Sequence, residues 1–389
     1  MKRILYISPS SNPFSVQYGG AQRSNLLLQA CMNIGKVDVI CFDNLSKEIK
    51  QDGFKILYGN YVPIEIKKQS RFKKFFDIFT AWLPEGQIAV DSTREQIIDG
   101  FVSKQHYDYI VTRYMHEAIS MGLYKYADKL VVDIDDSPVE KARNGIKLAK
   151  TLRQRIYMSF YAKMTKIAMQ TFLNRIAVSF FSNKNEADIY HSNYLPNIPF
   201  YNADTNKLAR EKIKEGRLLF VGDLTYAPNY TGLDHFLKEI YPHINREIEF
   251  HIVGRISDEE RKKRWNAIPG VSVLGFVDDL LQEYAEAEMV VIPIYFGAGT
   301  CIKVLEAMHM QRVLVTTPIG VRGYEEFVSP NKDFLLAHTD KEFIEFIKWG
   351  LDNQSLANEL INNAKQKINR YFSKEKFFDI VKNSMIRKS

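Results

Sequence analysis

The sequence predicts an α/β protein of two doubly wound domains joined by a linker. Its 389 residues are two to three times the length of a usual single domain. Short apolar segments alternate with helical segments along most of the chain, a pattern typical of parallel sheets covered by helices. The alternation stops over residues 194–216 and then resumes, so we predict one domain on each side of this polar, turn-rich stretch.

The first domain is predicted over residues 1–198. The strand RILYIS opens it, and a helix begins at the paired glycines Gly19 and Gly20. The further strand candidates are mostly apolar, as buried strands of a parallel sheet are. They are VDVICF, FKIL, YDYIVT, KLVVDID and AVSFFS.

The second domain is predicted over residues 217–370, after a linker at 199–216. Its five strand candidates are RLLFVG, IEFHIVG, VSVLG, MVVIPI and VLVTT. Residues 371–389 are predicted to form a C-terminal helix that packs back toward the first domain. The order of elements predicts a second parallel sheet covered by helices.

The composition excludes several classes of protein. Hydrophobic residues make up 46% and charged residues 25%, which excludes a disordered chain. Three cysteines exclude a disulfide framework and a zinc site made of cysteines alone. The N-terminal apolar segment is too short for a secretory signal, and no window reaches the ~18 apolar residues of a membrane span. We therefore expect a cytoplasmic protein, soluble or peripheral on the inner face of the cell membrane.

The net charge of +7 is unevenly distributed. Residues 141–185 contain ten basic residues and no Asp or Glu, and a second basic and aromatic patch lies at 66–79. Three interpretations stay open: a solvated helix over a core stripe, docking on an anionic membrane surface, and nucleic-acid binding. The last is least favoured because no nucleic-acid recognition motif is present. The apolar residues of the first run recur at helical spacing: Leu152, Ile156, Phe160, Met164 and Ile167.

The most informative segment is residues 293–320, in which a glycine loop lies between a strand and a helix. Glycines allow a ligand to approach the backbone, and free N–H groups at a helix start favour a phosphate. Lys303 adds a positive charge in the first turn, and Glu306, on the same helix face, can accept hydrogen bonds from a ribose diol. The set fits a nucleoside diphosphate; the alternative is a structural strand–loop–helix unit with a surface Lys–Glu pair.

This segment reads Gly-x-Gly-Thr-x-x-Lys-x-x-Glu at 297–306, followed by a Val-rich strand and Thr-Pro-x-Gly at 317–320. It resembles the donor-binding motif of the family-four retaining glycosyltransferases (glycosyl transferases group 1). The resemblance covers nearly the whole chain, with matches at GGAQR, YLPN, LLFVGDLTYAPNYTGLDHF, HIVGR and VSVLGFVDDL. It implies the GT-B fold, in which two Rossmann-like domains face a central cleft that holds the donor sugar.

The resemblance implies a role for each matching residue. The glycine loop of the first domain would approach the donor phosphate and the acceptor, and the helix start of the second domain would hold the diphosphate. The nucleobase would be lined mainly by backbone, and Glu306 would bind the ribose. The implied catalytic residues are Asp135, Lys303 and Glu306. The implied donor-binding residues are Gly19, Gly20, Gly222, Asn229, Arg255, Gly275, Phe276, Val277, Gly297, Ala298, Gly299, Thr300, Lys303 and Glu306.

Two departures from the family pattern concern charge. The family often carries two glutamates eight positions apart; Glu306 is the second, and Ala298 occupies the first position. Many members also have an Arg and a Lys in the first loop of the second domain, whereas residues 222–229 contain no basic residue. A branch of the family shares these features. They leave Lys303, the helix start and Arg255 to neutralise the diphosphate, with a plain surface role for Arg255 equally open.

A third departure lies at the end of the first-domain strand LVVDID, where the family often has a His and this chain has Asp135 beside Asp133 and Asp136. A carboxylate at the carboxyl end of a strand faces the ligand crevice of an open α/β sheet. It can bind a sugar hydroxyl or stabilise an oxocarbenium-like transition state. The alternative is that these aspartates cap the turn at Ser137. No metal is expected, because GT-B enzymes characteristically lack a bound metal.

Four further residues are weaker candidates. Arg113 follows a strand and is a candidate for facing the ligand, whereas His116, His309 and Cys301 are expected to be structural. The resemblance thus implies retaining transfer of a hexose-type sugar from a nucleoside diphosphate sugar to a hydroxyl of a cell-surface glycan or lipid-linked acceptor. It implies no further cofactor and no nucleic-acid partner. A sugar-nucleotide epimerase of the same fold and a non-catalytic nucleotide-sugar or glycan-binding subunit remain as rivals.

Overall fold

The computed structural model describes residues 2–9, 12–14, 19–45, 53–63, 82–149, 151–199, 212–244, 247–297 and 299–386. These residues form two compact units. The first unit comprises the described residues of Met1–Pro196 and Lys374–Ser389, and the second unit those of Asn197–Ser373.

The first unit is built on a seven-stranded parallel sheet in the order β3-β2-β1-β4-β5-β6-β7. Its strands are β1 Lys2–Ser8, β2 Gly35–Cys41, β3 Phe54–Gly59, β4 Tyr109–Arg113, β5 Leu130–Asp135, β6 Val178–Phe181 and β7 Asn193–Tyr194. Its first seven helices are α1 Gly19–Met32, α2 Pro84–Gln87, α3 Ser92–Val102, α4 Met115–Ser120, α5 Pro138–Leu148, α6 Leu152–Leu173 and α7 Lys184–Ile189.

The second unit is built on a six-stranded parallel sheet in the order β10-β9-β8-β11-β12-β13. Its strands are β8 Arg217–Val221, β9 Glu249–Val253, β10 Val271–Gly275, β11 Met289–Ile292, β12 Val313–Thr316 and β13 Leu335–Leu336. Its helices are α8 Ala227–His235, which continues as a π-helical turn to Ile240, α9 Glu259–Asn266, α10 Leu280–Glu286, α11 Ile302–His309, α12 Asp340–Asp352 and α13 Gln354–Tyr371.

Both sheets run outward in both directions from their first strand, which is the order of a doubly wound α/β domain. The central strands are buried on both faces: β11, for example, has no residue more than 1% exposed. Such continuous apolar runs are what parallel strands covered by helices require. The predicted fold class of two doubly wound α/β domains is therefore confirmed.

The last helix, α14 (Lys374–Ile386), belongs to the first unit although its sequence follows the second. It packs against α1 and buries Phe377, Val381 and Met385 completely. The hydroxyl of Tyr109 in β4 donates a hydrogen bond to the backbone oxygen of Met385. The first unit thus combines both ends of the chain.

Helix α6 differs from one of the sequence interpretations. Of the five apolar residues considered above as a stripe on the core, Met164 is half-buried and the other four are exposed. The exposed residues are Leu152, Ile156, Phe160 and Ile167. The opposite face of the helix is the buried one, so the core-stripe interpretation is wrong. The second basic patch, at 66–79, lies outside the described residues. No helix in the described ranges has the length and apolar character needed to cross a membrane.

Candidate functional site

The strongest candidate site lies at the carboxyl edge of the second sheet. There the sheet order reverses between β8 and β11, the position at which doubly wound sheets bind ligands. The loops after β8 and β9 approach each other closely at glycines. A Cβ atom at Gly254, whose φ is +142°, would lie 1.8 Å from the backbone oxygen of Gly222. Only glycine allows the two loops to approach this closely.

Lys303 lies in the first turn of α11 and is held over the end of β8. Its Nζ donates a hydrogen bond to Asn229 Oδ1 at 3.0 Å and lies 5.7 Å from the centre of the Phe220 ring. The buried Asn229 side chain in turn donates to the backbone oxygen of Asp223 at 2.7 Å. Within the described ranges, no carboxylate lies within 4.0 Å of Lys303 Nζ. Its positive charge is therefore oriented by a neutral amide and available to an anion.

Glu306 lies one helical turn after Lys303 and is half-buried. Burial raises the pKa of its carboxyl group, and the positive charge of Lys303 only partly opposes this effect. Among the residues that the structure describes, its carboxylate receives no hydrogen bond and forms no ion pair. Glu306 and Lys303 thus present a carboxylate and a cation one helical turn apart, without ion-pair partners in the described ranges.

The glycine loop before α11 is held by Arg322, which the sequence interpretation missed. Arg322 Nη1 donates to the backbone oxygen of Gly297 at 3.1 Å. Its Nε and Nη2 both donate to the backbone oxygen of Gly299, at 3.2 and 2.7 Å. Gly297 and Gly299 have φ values of +151° and +73°, which favour glycine. The guanidinium group of Arg322 thus holds both carbonyl groups of the glycine loop in place. Arg322 is also a second cation, after Lys303, that has no carboxylate partner in the described ranges.

The remaining loop residues are placed as follows. Thr300 Oγ1 accepts a hydrogen bond from the side-chain amide of Asn197 at 2.9 Å. Cys301 precedes α11, and its side chain does not cap the helix. Gly275 ends β10, Phe276 is 75% exposed, and Val277 is half-buried. Ala298 lies outside the described residues.

Arg255 is exposed and already paired. Its Nη2 donates to Asp223 Oδ2 at 2.5 Å, and 72% of its side chain is exposed. Partial burial would raise the pKa of Asp223, but hydrogen bonds from Thr225 and Arg255 outweigh it and lower that pKa. The charge of Arg255 is thus offset by a neighbour, unlike the charge of Lys303.

The first unit contains a buried network of two arginines and two aspartates. Arg23 Nε donates to Asp133 Oδ2 at 2.8 Å, and Arg23 Nη2 donates to Asp133 Oδ1 at 2.7 Å. Arg113 Nε also donates to Asp133 Oδ2, at 2.9 Å. Arg113 Nη2 donates to Asp135 Oδ2 at 2.7 Å. Asp133 is fully buried; burial alone would raise its pKa, but the two arginines lower it. Two charges of each sign therefore balance one another.

This network reaches both predicted site regions of the first unit. Arg113 Nη1 donates to the backbone oxygen of Gly20 at 2.6 Å, at the start of α1, which begins at Gly19. Asp135 has a φ of +61°, and its Oδ1 has no hydrogen-bond partner, with Arg23 Nε 3.6 Å away. Arg113, a weak candidate in the sequence, is thus the residue that ties Gly20 to Asp135.

Neither Asp133 nor Asp135 is the N-cap of the helix that follows. Ser137 is the N-cap of α5, and its Oγ accepts a hydrogen bond from the backbone N–H of Val139 at 3.1 Å. Asp135 is engaged with Arg113 instead. Of the three aspartates at 133, 135 and 136, Asp133 and Asp135 are both bound by Arg113.

The two histidines and the cysteine have structural surroundings. His116 stacks on Tyr114 with ring centres 5.7 Å apart, and burial lowers the pKa of its imidazole. Burial also lowers the pKa of His309 and raises that of the Cys301 thiol. The Nε2 atom of His116 lies 3.8 Å from a carboxylate oxygen of the adjacent Glu117.

A known protein family matches most of the second unit. Residues 215–353 match the family model described as Glycosyl transferases group 1. This range includes the glycine loop, Lys303, Glu306 and Arg322, so the residues of the candidate site lie within the matched region.

One curated relative is similar over part of the chain. It is the "Uncharacterized 44.6 kDa protein in cps region" of Klebsiella pneumoniae, 29% identical over 179 residues. The match covers 42% of this chain and 44% of the relative, so it spans less than half the length of that protein.

Solved structures match the fold over nearly the whole chain. Sucrose-phosphate synthase from Thermosynechococcus elongatus gives a TM-score of 0.67 at 14% identity, over 97% of this chain and 96% of that one. Anabaena Alr3699/HepE, solved in complex with UDP, gives 0.61 at 13% identity, over 97% and 98%. At sequence identities this low, the similarity shows a shared fold and nothing more. The predicted GT-B architecture, two parallel-sheet α/β domains, is shared with these structures.

Proposed function

We propose that this protein is a retaining glycosyltransferase. It moves a hexose-type sugar from a nucleoside diphosphate sugar to a hydroxyl of a cell-surface glycan or lipid-linked acceptor. The observation that carries the proposal is the Lys303–Glu306 pair at the switch point of the second sheet, where a cation and a carboxylate both lack charged partners in the described ranges. The family match over 215–353 and the cps-region relative support the same activity.

In the proposed complex, the diphosphate lies against the N-terminus of α11. Lys303, the N–H groups of the first turn and the backbone at Gly299 and Thr300 neutralise its charge. Glu306 accepts hydrogen bonds from the ribose hydroxyls. Since the fold-related Anabaena protein was solved with UDP, uridine diphosphate is the first nucleotide to test.

Other loop residues shape the proposed nucleotide site. Gly222 leaves room for the Lys303 side chain, because a Cβ atom there would lie 3.0 Å from Lys303 Cε. Asn229 orients the same side chain. Backbone atoms at 275–277 face the base, with the exposed ring of Phe276 beside it.

The proposed chemistry leaves the anomeric configuration unchanged. The bond from the anomeric carbon to the diphosphate oxygen breaks, and the acceptor oxygen bonds to the same face of the sugar. The acceptor's proton passes to the leaving diphosphate, so no strong protein base is needed. Asp135, whose Oδ1 is without a hydrogen bond, accepts one from a sugar hydroxyl, and the network around Gly20 holds it in place.

No metal or other cofactor is part of this proposal, because Lys303, Arg322 and the helix N-terminus supply the positive charge that the leaving diphosphate needs. We further propose that the protein works in the cytoplasm at the inner face of the cell membrane, where a lipid-linked acceptor is presented.

A thermal-shift panel of nucleoside diphosphates and their sugar conjugates tests the proposal. A ligand at ~100 times its dissociation constant stabilises the folded state by about 2.7 kcal/mol. We expect a shift selective for one base that is lost in Lys303→Ala and Glu306→Ala but kept in Lys263→Ala, a control on exposed helix α9. No shift with any nucleotide, or an equal shift in Lys303→Ala, would contradict the site.

Product analysis then separates the rival functions. Transfer of the sugar to an acceptor with its anomeric configuration kept supports a retaining transferase. Release of an altered free sugar nucleotide without acceptor would indicate an epimerase. Nucleotide binding with no turnover of any donor, alone or with acceptor glycans, would indicate a binding subunit.

A further inference from the structure

The first half of helix α6 is exposed around most of its circumference. In the part of the chain that the structure describes, no other helix gathers so many large exposed apolar side chains. Soluble proteins normally bury such a face or use it to bind a partner. The exposed fractions are 73% for Leu152, 63% for Ile156, 61% for Tyr157, 42% for Phe160, 39% for Tyr161 and 36% for Ile167.

Four of these six side chains form a stripe along the helix. At about 100° per residue, Leu152, Ile156, Phe160 and Ile167 fall within roughly 80° of the helix circumference. The stripe lies opposite the side by which α6 packs on the first unit. The buried side chains on that opposite side are Ala162, Thr165, Ala168, Met169 and Phe172. Helix α6 therefore has a second apolar face that the described part of the first unit does not cover.

Positive charges accompany this stripe. Arg153, Arg155, Lys163 and Lys166 lie on the same helix, and none of them forms an ion pair within the described ranges. Residues 141–185 contain no Asp or Glu, so every charged side chain of this segment is positive. Long basic side chains can lay their methylene groups along an apolar surface while their charges reach outward.

The combination of an apolar stripe with basic side chains favours one kind of partner over the others. A nucleic acid would use the basic residues but leave Leu152 and Ile156 exposed to water. A second copy of the chain would cover the apolar stripe but would bring two acid-free, basic helices together. A bilayer with anionic headgroups satisfies both features, because apolar side chains enter the headgroup boundary and basic ones meet lipid phosphates. Tyr157 and Tyr161, whose rings stack with centres 6.4 Å apart, suit the interface between lipid and water.

We propose that this outward face of α6 docks the protein on an anionic lipid bilayer. Leu152, Ile156 and Phe160 insert at the headgroup level, and Arg153, Arg155, Lys163 and Lys166 contact the lipid phosphates. The inference rests on the proposed function in placing the protein at a membrane, but the contact itself does not involve the nucleotide site.

Vesicle co-sedimentation of the full-length protein tests the docking face. We expect binding to phosphatidylcholine vesicles that contain roughly 30% phosphatidylglycerol, weak binding to phosphatidylcholine alone, and loss of binding near 0.5 M salt. The triple variant Leu152→Ser/Ile156→Ser/Phe160→Ser should bind at least tenfold more weakly. The double variant Arg153→Gln/Arg155→Gln should bind these vesicles more weakly, by roughly fivefold for each charge removed. Because all five side chains are on the surface, the unfolding temperature of each variant should be unchanged.

Ile189→Ser provides the matched control, since Ile189 is as exposed as Ile156, lies on another helix of the same unit and is outside the stripe. Its vesicle binding should equal that of the wild type. The nucleotide thermal shift should be unchanged in every variant, which separates failure of the docking face from failure of the nucleotide site. Absence of vesicle binding at low salt, or equal binding by the triple variant, would overturn the proposal. A concentration-dependent dimer that the triple variant abolishes would assign the face to a second copy instead.

Discussion

The two units share a strand order and a glycine-led helix at the carboxyl edge of the sheet, but they use charge in opposite ways. Beside α1, Arg23 and Arg113 are matched by Asp133 and Asp135. Beside α11, the described residues offer no carboxylate within 4.0 Å of either cation. Lys303 there meets a neutral amide and Arg322 meets backbone carbonyls. The first arrangement fixes a loop, and the second leaves positive charge for a ligand.

The comparison shows that the partner of a charged side chain, more than its type, indicates its role. A buried and fully paired arginine is a positioning residue, because its charge is already offset. A half-buried lysine that bonds only to an amide retains most of its attraction for an anion.

Replacing Asp133 should have the largest effect, and the effect should be on stability. Asp133→Ala leaves two buried arginines without their shared carboxylate and should lower the free energy of unfolding by about 3–5 kcal/mol. Urea denaturation measures the change. The control is Glu140→Ala, which removes the partner of exposed Arg143 in the same unit and should cost less than about 1 kcal/mol. Similar losses of unfolding free energy for the two variants would show that the buried network does not stabilise the first unit more than a surface ion pair does.

Replacing Arg322 should affect binding more than stability. Arg322→Gln releases the carbonyl groups of Gly297 and Gly299, and the affinity for the nucleoside diphosphate should fall roughly tenfold. Arg322→Lys keeps the charge but cannot reach both carbonyls in the same way, so it should not restore the affinity. Titration calorimetry with UDP distinguishes these cases. Full rescue by lysine would mean that charge alone matters and that the loop needs no clamp.

The raised pKa of Glu306 predicts opposite pH effects on stability and on binding. Because its folded pKa lies above the unfolded value, the ligand-free protein should lose stability as the pH rises through this raised pKa. Nucleotide affinity should increase over the same range, since the ionised carboxylate accepts the ribose hydrogen bonds. Unfolding and UDP binding from about pH 4.5 upward measure the two slopes. Glu306→Gln should flatten both; an unchanged binding slope would exclude Glu306 as the titrating group.

Replacing Arg255 should have the smallest effect. Because Asp223 offsets its charge and most of its side chain is exposed, Arg255→Gln should weaken nucleotide binding less than about threefold. Calorimetry at two salt concentrations measures it. A loss as large as that of Lys303→Ala would show that Arg255 leaves Asp223 to contact the diphosphate.

Much of the fold could be predicted because its strands are continuous apolar runs. The two strands that escaped prediction, β7 and β13, are only two residues long and carry no period. The glycine loop, Lys303 and Glu306 could be found because their spacing along one helix start is a local signal. The position of the Lys303 ammonium group, however, depends on a hydrogen bond to Asn229, which is 74 positions away in the sequence.

The missed features share a physical reason. Arg322 binds backbone oxygens, which leave no mark on the identity of the residues that carry them. Arg23 and Asp133 are 110 positions apart and meet only when α1 and β5 are folded together. For α6, helical spacing correctly grouped Leu152, Ile156 and Phe160, but periodicity does not indicate which of two apolar faces turns toward the protein.

The return of α14 to the first unit also sets an order of assembly during translation. Residues 197–373 are continuous, so the second unit is complete once its own segment has left the ribosome. The first unit begins earlier but lacks the helix that covers α1 until Lys374–Ile386 has emerged. The unit that begins at the lower residue numbers is therefore finished after the other, and a nascent chain that stops before Lys374 leaves that unit open to proteases and chaperones.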